Sequence, residues 1–221
     1  MTSASLIMST PSKAARPHLG PDATTGAPSG YAELDCAMDR YAQGDASAFT
    51  VLHGGLAPRL RAFLLRMCGN QALAADLAQE TFLRIHRARG SFVEGAGVVP
   101  WSLAIARNAY LDHLRRNARL VSPRGTSVDG EPAEDPASRL PSTEPHGEDV
   151  AMARETSELV RVTLAALPVS QREAFVLLRF ESLSVAEAAE VLGATETAVK
   201  LRAFRAYEAL RAALRRREEE P

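Results

Sequence analysis

Between Ala198 and Arg217 the chain carries seven basic residues against a single acid, Glu208. Lys200, Arg202 and Arg205 come first among them, and such groups donate to phosphate oxygens and to base edges in a major groove. A second set, Arg107, Asn108, Asp112, Arg115 and Arg116, falls to one side of the apolar stripe Leu103, Ala106, Tyr110 and Leu114. Asparagine and arginine hydrogen-bond base edges and phosphates, and arginine also stacks on an unpaired base. Asp112 has a plainer role open to it, an ion pair with Arg115 or Arg116 one turn on. Trp101 could stack on melted DNA, but the apolar residues on both sides favour a place in the core. Enzyme chemistry has no comparable grouping. His86 and His113 belong to separate helices, and His18, His53 and His146 are scattered without zinc spacing. Neither a phosphate-cradling glycine loop nor a nucleophile elbow is present, and a dyad of Cys68 with His86 or His113 is disfavoured. No catalytic, cofactor or metal residue is assigned.

The helices that must position these groups are written in start and stop signals. Ser170 to Glu173 and Ser184 to Glu187 each read as a capping box, so helices are expected to start near 170 and 184. Gly193 supplies the left-handed residue that ends the second, and Thr195 can cap a third helix with Glu196 in its first turn. Val199, Ala203, Ala206, Leu210 and Leu214 form that helix's buried stripe, which leaves Lys200, Arg202 and Arg205 outward. A tight turn followed by a basic helix is the device that lays a helix into a major groove. The terminal run Arg215 to Glu220 reads as a frayed, solvated end.

Upstream, Leu34, Met38, Tyr41, Phe49, Leu52, Leu56, Leu60, Phe63, Leu64 and Met67 mark amphipathic helices. Breaks are expected at Gly44-Asp45, where Asp45 can cap, and at Gly54-Gly55 and Pro58. Asn70 caps a helix over 71–89 with Leu73, Leu77 and Ile85 on one face; spacing alone makes Asp76, Gln79, Glu80 and Arg84 a solvated face. Gly90 to Val99 reads as a loop, and Pro100 as the first residue of the next helix.

Aromatic residues make up only 5% of the 221. Leucine and alanine fill the apolar positions, so the fold class is all-α, two small helical domains with cores of their own joined by a flexible linker. The formal net charge is −1, but it is segregated: Thr126 to Val150 holds seven acids against Arg139 alone. A near-neutral total implies weak non-specific DNA affinity, so a partner is expected to supply much of the contact. No stretch is long and apolar enough for a membrane span, and residues 1–30 lack the pattern of a signal peptide, which predicts a cytoplasmic protein. Cys36 and Cys68 are expected to be plain buried thiols.

The run LPVSQREAFVLLRFESLSVAEAAEVLGATETAVKLRAFRAYEALRAAL, from Leu167 to Leu214, resembles region 4 of the extracytoplasmic-function sigma factors, initiation subunits of bacterial RNA polymerase. The resemblance implies that Thr197, Lys200, Leu201, Arg202, Phe204 and Arg205 face the upstream (−35) promoter element. Leu201 stands where a small polar residue is common and Phe204 where a histidine is common. An apolar side chain touches a thymine methyl but cannot bond a base edge, so an unusual element is expected. DLAQETFLRIHRARGSF is similar to region 2.2, whose helix docks on the polymerase β′ clamp, and makes Asp76, Gln79 and Glu80 the polymerase contacts. PWSLAIARNAYLDHLRR is similar to regions 2.3 and 2.4, and places Arg107, Asn108, Asp112, Arg115 and Arg116 at the downstream (−10) element. The loop GSFVEGAGVV between them follows no fixed family pattern.

The implied organisation is an N-terminal extension over 1–30, region 2 over 31–117, an acidic Pro-rich linker over 118–149 and region 4 over 150–217. The implied partners are core RNA polymerase, through its β′ clamp and β subunit, and promoter DNA. An anti-sigma factor, which restrains many relatives, is a further partner the resemblance allows. The linker is expected to thread the polymerase cleft, where its acids meet walls built for RNA. The rival reading is a stand-alone helix-turn-helix regulator on a palindrome, in which the basic, asparagine-bearing helix at 100–116 has no purpose.

Overall fold

Helix α2 shows best how burial overrides local punctuation in this chain. In the computed structural model, which describes residues 31–121 and 148–219, α2 runs unbroken over Ala48–Cys68, through Gly54, Gly55 and Pro58. The expected breaks there do not occur. Each glycine costs about 1 kcal/mol and the proline about 3 kcal/mol. Leu52, Leu56, Leu60, Phe63, Leu64 and Met67 lie at helical spacing and are all buried. At roughly 1.5–3 kcal/mol for each large side chain, that stripe outweighs the breakers. Gly55 also serves the packing, because a Cβ there would come within 2.5 Å of the Leu34 side chain.

Around α2 lie α1 (Ala32–Ala42), α3 (Gln71–Ala88) and α4 (Val98–Val121), all three in contact with it. Asn70 caps α3 as expected, its side chain accepting from the Leu73 amide at 3.0 Å. Helix α4 begins two residues before Pro100, whose missing N–H falls in the first turn, where it has no intrahelical partner to lose. The Val98 amide there donates to Asp35 of α1 at 2.8 Å, a cap supplied from 63 residues away. Trp101 is half-buried, edge-on to Phe92 with centroids 5.1 Å apart.

The second half comprises α5 (Glu148–Ala166), α6 (Val169–Arg179), α7 (Val185–Leu192) and α8 (Glu196–Glu219). The capping box at Ser184 and Glu187 is present in full. The one expected at Ser170 is not: α6 starts at Val169 behind Pro168 with no side-chain cap, and Glu173 is turned inward instead. Gly193 ends α7 at φ 60°, and Thr195 Oγ1 accepts from the Ala198 amide at 3.2 Å. Leu164, Leu167, Ala206 and Leu210 form a small core between α5 and α8. The terminal arginines are not merely a frayed end, since Arg217 reaches Thr156 at 2.8 Å and Glu155 at 2.5 Å.

Two further expectations are corrected. Cys36 is exposed; only Cys68 is half-buried, its thiol donating to the Asn70 carbonyl at 3.2 Å. The two halves also do not keep wholly separate cores. One apolar cluster runs from Met38 and Phe63 through Leu103 and Tyr110 to Leu177, Leu192 and Val199. Among the described residues there is no strand. The N-terminal extension and nearly all of the expected linker lie outside the described residues.

Ser184→Ala should lower stability by about 1 kcal/mol in urea unfolding, the usual worth of a lost cap; an unchanged midpoint would mean that α7 does not depend on the box. The Asp45 carboxyl is held down to about 2 from the ordinary 3.8, first by the Ser47 side chain and then by Arg40. Its contribution to stability is therefore present above pH 4 or so and is lost as pH falls toward about 2. Carbon-detected NMR titration should give a midpoint near 2 for Asp45, and Asp45→Asn should flatten the acid limb of the stability curve.

Candidate nucleic-acid and polymerase interfaces

The turn Gly193-Ala194-Thr195 sets the direction of α8, whose buried residues Val199, Ala206, Leu210 and Ala213 fix its rotation. Thr197, Lys200, Leu201, Phe204 and Arg205 are then exposed, Phe204 at 60%. Lys200 is tied only to Glu196 one turn back, at 3.3 Å, a bond a phosphate can replace at little cost. Arg202 departs from the expected outward position. It is half-buried and close enough to Glu173 to lower that group's proton affinity. Tyr207, not among the sequence candidates, extends the apolar side of this face and lines a shallow groove with Phe175, Leu178 and Phe204. The spacing of Phe204 and Tyr207, three apart on one helix, was the available signal.

On α4, Asn108, Arg115 and Arg116 are exposed. Asp112 does not stand free for DNA. Its two oxygens accept from Arg84 and Arg115, each at 2.8 Å, as the pairing with Arg115 anticipated. Arg84 in turn donates to Glu80 at 2.8 Å, so a chain of ion pairs runs from α3 to the arginines of α4. His113 is held below its usual range by burial and then by Arg116, and stays neutral near pH 7. On α3, Asp76 and Gln79 are exposed and Glu80 is half-buried. Leu83, 52% exposed and one turn beyond Gln79 and Glu80, adds an apolar residue that sequence reasoning missed.

Arg107 is the expected DNA residue that the structure treats differently. Its Nε donates to Glu173 of α6 at 2.9 Å. Burial pushes the Glu173 carboxyl up from the usual glutamate range, against the pull of Arg107, Arg202 and Arg172. Beside it, Arg172 donates to the Tyr110 hydroxyl at 3.3 Å. Further along, Glu181 accepts from Arg59 at 2.7 Å and lies 3.8 Å from Arg66. The Arg66 guanidinium stands 4.3 Å over the Phe180 ring. The sequence gave no sign of these pairs, since the partners lie 66 and 122 residues apart.

Comparison with known proteins accounts for both halves. Residues 52–120 match the model of sigma-70 region 2, and residues 157–210 that of sigma-70 region 4. The chain is 36% identical over 174 residues to the RNA polymerase sigma factor CarQ of Myxococcus xanthus, covering 79% of this chain and 93% of CarQ. It is 34% identical over 187 residues to the ECF RNA polymerase sigma factor SigF of Caulobacter vibrioides, covering 83% and 94% of the two chains. Its fold is similar to that of the sigma factor RpoE in complex with the anti-sigma factor NepR from Bartonella quintana, with a TM-score of 0.62 at 25% identity over 76% of this chain and 96% of that one. CnrH in complex with the cytosolic domain of CnrY gives 0.59 at 25% identity over 82% and 97%. With both sigma regions present, and relatives matched over nearly their whole length, this chain belongs to the ECF family of RNA polymerase sigma factors.

Proposed function

We propose that this sigma factor docks on bacterial core RNA polymerase through the α3 face of Asp76, Gln79 and Glu80, with Leu83 as the apolar centre of the contact. Thr197, Lys200, Leu201, Arg202, Phe204 and Arg205 read the upstream element. Arg107, Asn108, Arg115 and Arg116 take hold of the strand that unpairs downstream, and Asp112 positions Arg115 rather than touching DNA. The observation that supports this reading best is the division of faces. An acidic face on α3, an asparagine and arginine face on α4 and a basic, apolar face on α8 stay exposed on helices whose other sides are buried. Region 2 is taken over 31–117 and region 4 over 150–217, with 1–30 as an extension and 118–149 as the tether.

The mechanism is recruitment followed by capture. Polymerase fixes region 2, region 4 sets the register on duplex DNA, and binding of the unpaired strand supplies the energy of opening, since no nucleotide-hydrolysing motif is present. The chemistry of RNA synthesis belongs to the polymerase, and this chain is not an enzyme. It works in the cytoplasm, where its DNA and polymerase are, and an anti-sigma factor of the kind bound to the related RpoE is a fitting restraint.

The purified chain should co-migrate with core polymerase in size exclusion, and the triple variant Asp76→Ala, Gln79→Ala, Glu80→Ala should not; co-migration of the variant would move the contact elsewhere. Arg202→Ala should cost about 1–3 kcal/mol and relax preference at one base pair, whereas equal weakening on every sequence would make Arg202 a phosphate contact. Phe204 should read a thymine methyl. Replacing thymine by deoxyuracil at one upstream position should weaken wild-type binding and leave Phe204→Ala indifferent, and wild-type indifference at every position would refute that role.

A further inference from the structure

The charges buried between regions 2 and 4 are distributed one-sidedly. Both acids, Glu173 and Glu181, come from α6 and the turn after it, and are 1% and 3% exposed. Their partners Arg59, Arg66 and Arg107 all come from α2 and α4. Arg59 is held twice, by the Glu181 carboxylate at 2.7 Å and by its main-chain carbonyl at 2.8 Å. Such pairs add little stability over apolar packing, yet removing one partner strands a buried charge. They therefore favour one arrangement of the two regions and penalise any partly opened one.

That arrangement conflicts with the task assigned to each side. The elements at −35 and −10 lie roughly 25 base pairs apart, about 85 Å of duplex at 3.4 Å per step. Regions whose helices touch cannot span that distance. In the same arrangement Arg107, from the strand-capturing face, is occupied by Glu173, and a phosphate is the kind of group that could replace that partner. We propose that Glu173 and Glu181 latch region 4 onto region 2 in the free chain, withholding Arg107 and the paired readers from DNA until polymerase docking parts them. This rests on the initiation reading above, but the contact is tested without it.

The test uses the full chain carrying Cys68→Ala and Glu190→Cys, labelled for energy transfer between Cys36 and the new α7 cysteine. Wild-type pairs should give high transfer that falls when core polymerase is added. Glu173→Gln with Glu181→Gln should lower transfer before any addition. It should also tighten binding of the free chain to a duplex selected from random DNA by the holoenzyme, by about five-fold or more. The exchange Arg59→Glu with Glu181→Arg should restore high transfer, which a variant that merely fails to fold cannot do. Unchanged transfer in the double glutamine variant, unchanged duplex affinity, or no fall on adding polymerase that co-migrates would each overturn the latch. Absence of co-migration is scored separately and counts against the initiation reading, while transfer and duplex affinity in the variants still decide whether the latch exists.

Discussion

Burial of one face of α2 is the constraint from which the rest of this molecule follows. Leu52, Leu56, Leu60, Phe63, Leu64 and Met67 offer a continuous apolar ridge, and α1, α3 and α4 each lay a stripe against it. Once Leu77 and Ile85 of α3 and Leu103 and Tyr110 of α4 are committed to that core, the rotation of both helices is settled. The acidic face of α3 and the asparagine and arginine face of α4 have only the outside left. The functional surfaces of region 2 are thus the complement of its core, held by packing rather than by any contact among the functional residues themselves.

Region 4 reaches the same end by a different route. Its helices are short, and their directions depend on covalent punctuation: the Ser184 and Glu187 box, the left-handed Gly193 and the Thr195 cap. These fix where α7 stops and at what angle α8 departs, so that the alanine and leucine stripe of α8 packs inward and Phe204 faces out. The exposed apolar side chains of α8 are costly in water and have no core to enter. A thymine-bearing groove is a surface on which that cost is recovered.

Arginine plays two distinct parts here, and environment rather than residue type separates them. Lys200, Arg205, Arg115 and Arg116 stand in solvent, where their bonds exchange readily with phosphate. Arg59, Arg107 and Arg172 are drawn into the joint between the regions and meet Glu173, Glu181 and Tyr110. Net charge hides both roles, because the acids that balance the chain are partly in this joint and partly in the stretch between the regions.

The fold class, the two regions, most helix limits and the exposed faces were legible in the sequence because each depends on neighbours in the chain. Capping boxes and helical stripes act over three or four residues, and their energies are local. Three features were not legible. The glycines and proline of α2 read as breaks, because propensity is a local cost and the burial that outweighs it comes from other helices. Ser170 and Glu173 have the spacing of a box, but a buried glutamate facing Arg107 gains more from that charge than from an amide at the helix start. Arg107, Arg202 and Asp112 share a residue type and a helix face with true surface groups, yet tertiary packing gave each a partner from a distant part of the chain. The sequence by itself determined which helices form and which way most of them face; only the tertiary structure decided which charges remain free to bind, because ion pairing depends on proximity in space and the pairs here join residues up to 122 positions apart.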